Sequence, residues 1–247
     1  MDIVKTYPNV DLLSAAAAEL FVEKACQAVE KQGRCNIVLA GGETPRPMYE
    51  LLAGKPYRSI IPWEKVHVYW SDERCVPSDH SLSNQFMVRQ SLLDHVPIPE
   101  ANIHPIVYES SPSMAAKEYE KILQSTFKGH APQFDVVFLG LGNDGHTASL
   151  FPAAEALKIR DHWVSHVYIA EQDLYRVTLT APILNQAAII IFVVAGSPKA
   201  HVLKEVIEGP QDCKRLPAQL IKPVNGQLYW LLDHEAAALL NLEAKYL

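Results

Sequence analysis

Cysteine is scarce in this chain and poorly placed for either of its structural uses. The four present, Cys26, Cys35, Cys75 and Cys213, are widely spaced and form no CxxC pair. That spacing argues against a structural zinc site and against a disulfide framework, and no metal is expected. Long apolar runs are missing too. None approaches the ~20 residues of a membrane span, and the start, Met1-Asp-Ile-Val-Lys-Thr-Tyr-Pro8, lacks the basic-then-apolar pattern of a signal peptide. Nor is there an excess of positive charge. Lysine and arginine number 22 against 28 acidic residues, a net charge of −6, which argues against a general nucleic-acid or anionic-membrane surface. Any attraction for an anion must come from a local pocket. The expectation is a cytoplasmic protein with no membrane or nucleic-acid partner. Its 247 residues suffice for a single domain, 1–247. Oligomeric state is left open.

What is present is an alternation of helical and extended segments. Asp11 is placed to cap a helix through about Lys31, with Leu12, Ala16, Leu20, Val22, Ala25 and Val29 as its apolar positions. Strands are expected at Asn36–Ala40, Val66–Trp70, Val136–Leu139, Tyr175–Thr180, Ala188–Ala195 and Gln227–Leu232. Helices are expected from Arg46, from a Ser83 cap to Leu93, over Met114–Phe127, over Lys199–Ile207, and in an Ala-rich closing segment. Pro97–Pro112 reads as a looser crossing. The pattern predicts an α/β fold, a three-layer α/β/α arrangement around a mainly parallel, Rossmann-like sheet.

Ligands of such sheets bind outside the carboxyl ends of the strands, and polar residues gather there. The apolar run Val136–Leu139 ends in Gly140, Gly142 and Gly145, with Asp144 and His146 on the turn. An imidazole there is suited to accept a proton near neutral pH. Gly41, Gly42 and Thr44 precede a helix, which reads either as a plain strand-to-helix turn or as a phosphate cradle of backbone N–H groups and one hydroxyl. Glu43 must point outward if that reading holds. Asp72-Glu73-Arg74 follows a strand without a gap; Arg74 is suited to an anion or a polarised carbonyl, with Asp72 to orient it. Cys75 is discounted as a nucleophile, since nothing marks a low-pKa thiol. Lys199 opposes the dipole of the helix it opens, which suggests an anionic partner. Arg176, taken alone, reads as a solvated edge residue and gains weight only beside Lys199. The remaining histidines, His67, His80, His95, His104, His130, His162, His166, His201 and His234, are read as surface or satisfied structural residues.

Taken in order, these segments resemble 6-phosphogluconolactonase, of the superfamily that also holds glucosamine-6-phosphate deaminase. The resemblance rests on Gly41-Gly42-Glu43-Thr44-Pro45, Ser71-Asp-Glu-Arg-Cys-Val-Pro77, Ser83-Asn84, Leu139-Gly-Leu-Gly-Asn-Asp-Gly-His-Thr-Ala-Ser-Leu-Phe-Pro152, Arg176-Val-Thr-Leu-Thr180 and Gly196-Ser-Pro-Lys-Ala200. It runs from about Asn36 to Asp233. Glu43 departs from the small residue usual there. The resemblance implies hydrolysis of a small sugar-phosphate lactone, 6-phospho-glucono-1,5-lactone, in the pentose phosphate pathway and without a cofactor. His146 would activate water, Asp144 would hold the imidazole, and Arg74 would bind the carbonyl. Gly41, Gly42, Thr44, Asp72, Arg176 and Lys199 would bind the substrate. A deaminase would carry a glutamate five residues after the histidine, where this chain has Phe151. A non-catalytic sugar-phosphate sensor would usually carry a DNA-binding segment, and only one helix precedes Asn36.

Overall fold

The computed structural model describes residues 2–128 and 133–241. In chain order its elements are β1 (Ile3–Tyr7), α1 (Val10–Gln32), β2 (Cys35–Leu39), α2 (Arg46–Ala53), α3 (Tyr57–Ile60), β3 (Val66–Trp70), β4 (Asp72–Arg74), α4 (Asn84–Ser91), β5 (Ile103–His104), α5 (Pro112–Thr126), β6 (Val136–Leu139), β7 (Val164–Ile169), β8 (Leu174–Leu179), α6 (Ala181–Leu184), β9 (Ile189–Val194), α7 (Ala200–Glu208), β10 (Gln227–Asp233) and α8 (His234–Ala237). Among these residues no helix is long and apolar enough to cross a membrane.

Seven strands form one sheet in the order β1-β10-β9-β6-β2-β3-β5, and every pairing in it is parallel. All residues of β2 and β6 are buried. Successive side chains on a strand point to opposite faces, so both faces of the sheet are covered, and the three-layer α/β/α expectation holds. The order reverses between β2 and β6. From β2 the chain steps to β3 and β5; from β6 it steps to β9 and β10. Connections leaving adjacent parallel strands in opposite directions part from one another and open a crevice at the carboxyl ends.

Helix α1 covers the middle of this sheet. Its cap is Asn9 and not Asp11: the Asn9 side chain accepts from the Leu12 N–H at 3.0 Å, and Asp11 lies in the first turn, where its charge suits the helix dipole. The buried face also differs from the expected one. Leu13, Ala17, Ala18, Phe21 and Ala25 face the core, while Leu12 is half exposed. Phe21 stacks on Phe138 of β6 with ring centroids 5.9 Å apart. Burying such a ring stabilises the fold by roughly 1.5–3 kcal/mol, enough to set which stripe turns inward.

A second sheet of three antiparallel strands, β4-β8-β7, stands apart from the first. The expected strand at 175–180 belongs here and not to the parallel sheet. Short or polar strands went unrecognised: β1, the three-residue β4, the two-residue β5 within the Pro97–Pro112 crossing, and β7. The closing helix is shorter than expected, a single turn, α8, followed by turn and irregular chain over 238–241; residues 242–247 and His130 lie outside the described residues.

Candidate active site

The crevice between β2 and β6 is a cavity of about 1240 Å³, and all nine residues proposed from the sequence line it. Gly41, Gly42 and Thr44 come from the turn after β2, Asp72 and Arg74 from β4, directly beyond β3, and Asp144 and His146 from the turn after β6. Arg176 comes from β8, and Lys199 from the turn before α7.

The turn after β6 is pinned by its own backbone. The Gly142 N–H donates to the His146 carbonyl at 2.8 Å and the Gly145 N–H to the Gly142 carbonyl at 3.0 Å. Within it, His146 Nδ1 and Asp144 Oδ1 are 2.5 Å apart. That contact occupies Nδ1 and leaves Nε2 as the nitrogen free to accept a proton. Burial alone would raise the Asp144 pKa, but the hydrogen bond and charge of His146 outweigh it and hold the carboxyl below its ordinary range. The His146 ring stacks on Phe151 at 4.1 Å between centroids. A methyl group on Gly142 would lie 2.0 Å from His146 Nδ1, so only glycine lets the pair sit there.

Asp72 does not reach His146. Its buried carboxylate takes Ser149 Oγ at 2.6 Å and Ser71 Oγ at 3.1 Å, and it lies 3.6 Å from Arg176 Nη1. Nor does Asp72 orient Arg74 through its carboxylate, as the sequence suggested. Arg74 Nη1 donates instead to the Leu82 carbonyl and to Asn84 Oδ1, each at 2.7 Å. Asn84 also packs against Gly41, where a Cβ would fall 1.9 Å from Asn84 Oδ1. Glu73, read with Asp72 and Arg74 as one polar run, is buried beneath α4. It takes the backbone N–H groups of Asn84 and Gln85 and the Ser83 hydroxyl.

Arg176 is buried, contrary to the edge-residue reading, and sits directly across the antiparallel pair from Arg74. Like charges placed opposite each other are unfavourable, and the Nε of each is buried without a partner. Burial, opposed by Asp72 and reinforced by Arg74, lowers the Arg176 pKa. Burial likewise pushes the Lys199 ammonium below its ordinary pKa, with Asp144 partly offsetting it. Three cations, Arg74, Arg176 and Lys199, line this one cavity in a chain of net charge −6.

Glu43 is exposed and paired with Arg46 at 3.0 Å, outside any cradle that Gly41, Gly42 and Thr44 form. Burial pushes the Cys75 thiol up to about 12, which leaves it unfit as a nucleophile. Of the remaining histidines, His166 lines the cavity, and His67 and His104 pair with each other at 3.2 Å. His162 and His166 stand four apart, a spacing that joins two imidazoles on a helix. Here β7 begins between them, and on a strand that spacing separates residues by about 13 Å. Sequence reasoning missed the placing of Asn84, Ser149 and Gln172. Their signal is weak, because neutral polar residues distant in sequence gain meaning only when the strands assemble.

Known proteins align with this chain over most of its length. Residues 8–230 match the family model described as glucosamine-6-phosphate isomerases/6-phosphogluconolactonase. A protein of Synechocystis sp. named 6-phosphogluconolactonase is 43% identical, with 92% of this chain and 94% of that protein aligned. The human protein of the same name is 36% identical over 97% of this chain and 94% of its own length. The crystal structure of 6-phosphogluconolactonase from Thermotoga maritima superimposes with a TM-score of 0.82 at 28% identity, covering 94% of this chain and all of that one. The matched span takes in every residue of the crevice, and the chain therefore belongs to the glucosamine-6-phosphate isomerase/6-phosphogluconolactonase family.

Proposed function

We propose that the crevice hydrolyses 6-phospho-glucono-1,5-lactone to 6-phospho-gluconate with a water activated by His146. The observation that carries this reading is the Asp144–His146 pair, 2.5 Å apart, in the same cavity as Arg74, Arg176 and Lys199. Gly41, Gly42, Thr44, Arg176 and Lys199 hold the phosphate, and that binding energy fixes the lactone for attack. His146 Nε2 takes a proton from water as the water oxygen bonds to the lactone carbonyl carbon. Negative charge develops on the carbonyl oxygen, where Arg74 stabilises it. The carbon–oxygen bond of the ring then breaks, and the imidazolium returns its proton to the departing ring oxygen. The new acid loses its proton to solvent. Asp144 keeps Nδ1 protonated and stabilises the transient imidazolium.

The names of the aligned relatives support the substrate. Phe151 supports hydrolysis over deamination, because an aromatic ring packs on His146 at the position where a second acid–base group would stand. The test is lactone opening measured above its spontaneous rate, with glucosamine-6-phosphate in parallel. Accelerated opening with no release of ammonia is the expected result. Ammonia release without lactone opening overturns the reading.

A further inference from the structure

Resting on that reading, we propose that two neutral amides, Asn84 and Gln172, are positioning residues that hold the site arginines in place without adding negative charge beside them. Arg74 and Arg176 oppose each other across β4 and β8 and both face the cavity. A buried arginine is ordinarily paired with a carboxylate. Among the described residues Arg74 is in no ion pair, and Arg176 is in one only, the longer contact to Asp72. Arg74 Nη1 is held by Asn84 Oδ1 and the Leu82 carbonyl, each at 2.7 Å. Arg176 Nη2 is held by Gln172 Oε1 at 2.6 Å, its nearest carboxylate oxygen, on Asp72, being 3.6 Å from Nη1. Asp72 in turn receives hydroxyl hydrogen bonds from Ser71 and Ser149, which draw on its charge.

The placement of the two amides is itself built in. Asn84 is buried, donates Nδ2 to the Asp72 carbonyl at 2.9 Å and packs against Gly41, so one side chain ties the β2 turn to β4. Gln172 sits on the β7–β8 turn, four residues before Arg176, and the turn is braced by Tyr168 Oη donating to Asp173 Oδ1 at 2.5 Å. A carboxylate at either position would hold the guanidinium as well and cancel its charge. An amide supplies the acceptor alone, leaving the positive charge for the substrate's anionic groups.

Isosteric exchange separates the two contributions. Gln172→Glu keeps the acceptor and adds charge; it should raise KM for the phosphorylated lactone and weaken binding of 6-phosphogluconate by about tenfold or more, with kcat changed less and the loss shrinking at high salt. Gln172→Met removes the acceptor and should weaken binding by a smaller factor that salt does not alter. Asn84→Asp should act mainly on kcat, through Arg74. Gln172 is exposed, so its variants test the proposal even if the Asn84 variant fails to fold. Titrating 6-phosphogluconate by calorimetry makes this independent of catalysis. A wild-type protein that binds 6-phosphogluconate without opening the lactone would sink the hydrolase reading alone. Folded Gln172→Glu protein with wild-type affinity for 6-phosphogluconate at low and high salt would overturn the amide proposal.

Discussion

At the scale of single residues the proposed site divides into a base and a set of cations, and the two should respond differently to substitution. His146→Ala should lower turnover by about 10²–10⁴, the usual worth of general base catalysis, and leave 6-phosphogluconate affinity near normal. Asp144→Asn should cost less, because the imidazole remains. Its pH profile is informative as well. The Asp144 carboxyl is held below its ordinary pKa, so it stays ionised as the solution is made mildly acidic. A fall in rate on that side is then not caused by loss of the Asp144 charge. Initial rates corrected for spontaneous hydrolysis decide this, and a folded His146→Ala protein of wild-type turnover would remove the base. Lys199 makes a different prediction. Its pKa lies below the ordinary value because it is half-buried, and a bound phosphate favours the ammonium form. Binding therefore takes up a proton wherever free Lys199 is partly neutral, and affinity falls as pH rises through its lowered pKa. Calorimetry in buffers of different ionisation enthalpy should show that uptake for wild type and lose it in Lys199→Ala.

At the scale of elements, the turn after β6 is tightly constrained. Asp144, His146 and the backbone of Gly142 occupy one tight loop, and an added methyl at 142 would lie 2.6 Å from Asp144 Oδ1 as well as against the imidazole. Gly142→Ala should reduce turnover by at least about tenfold, since even a displacement of about 1 Å is costly. Its melting temperature should stay close to wild type, because the loop is at the edge of the core. Equal loss of melting temperature and of activity would instead mark the turn as a folding element. Helix α1 shows the opposite regime. Its Ala-rich sequence offers apolar residues on several sides, and the choice of face was made by Phe21 meeting Phe138.

At the scale of the whole molecule, stability should depend on a half-buried pair outside the proposed site. His67 Nδ1 and His104 Nε2 are 3.2 Å apart at the β3–β5 edge. Burial, with His67 adding to it, pushes the His104 pKa down to about 4, and burial together with Arg34 lowers that of His67. An unfolded histidine titrates near ~6.5, so between that pH and about 4 the unfolded chain binds more protons than the folded one. Stability therefore falls as pH drops through that window. Denaturant midpoints taken across it should show the decline in wild type and a shallower one in His104→Gln. Parallel curves for the two proteins would acquit the pair.

Much of this was legible along the chain because it is local. An apolar run of four or five residues ending in glycine declares a buried parallel strand, and polar residues placed just after it are carried to the sheet's carboxyl edge whatever the rest does. Gly41, Asp144, His146 and Lys199 follow that rule. What tertiary structure decided are relations between segments far apart in sequence. The burial of Arg176 depends on β8 leaving the main sheet to pair with β4. The partner of Arg74 is Asn84 and not Asp72, because α4 folds back over the β2 turn. That Asp144 and not Asp72 lies beside His146 is likewise a matter of distance, since the adjacent Ser71 together with Ser149 and Arg176, 77 and 104 residues away, surrounds Asp72. Hydrophobic periodicity reports how a segment meets its own neighbours; the choice of partner for a buried charge is made only when the strands converge.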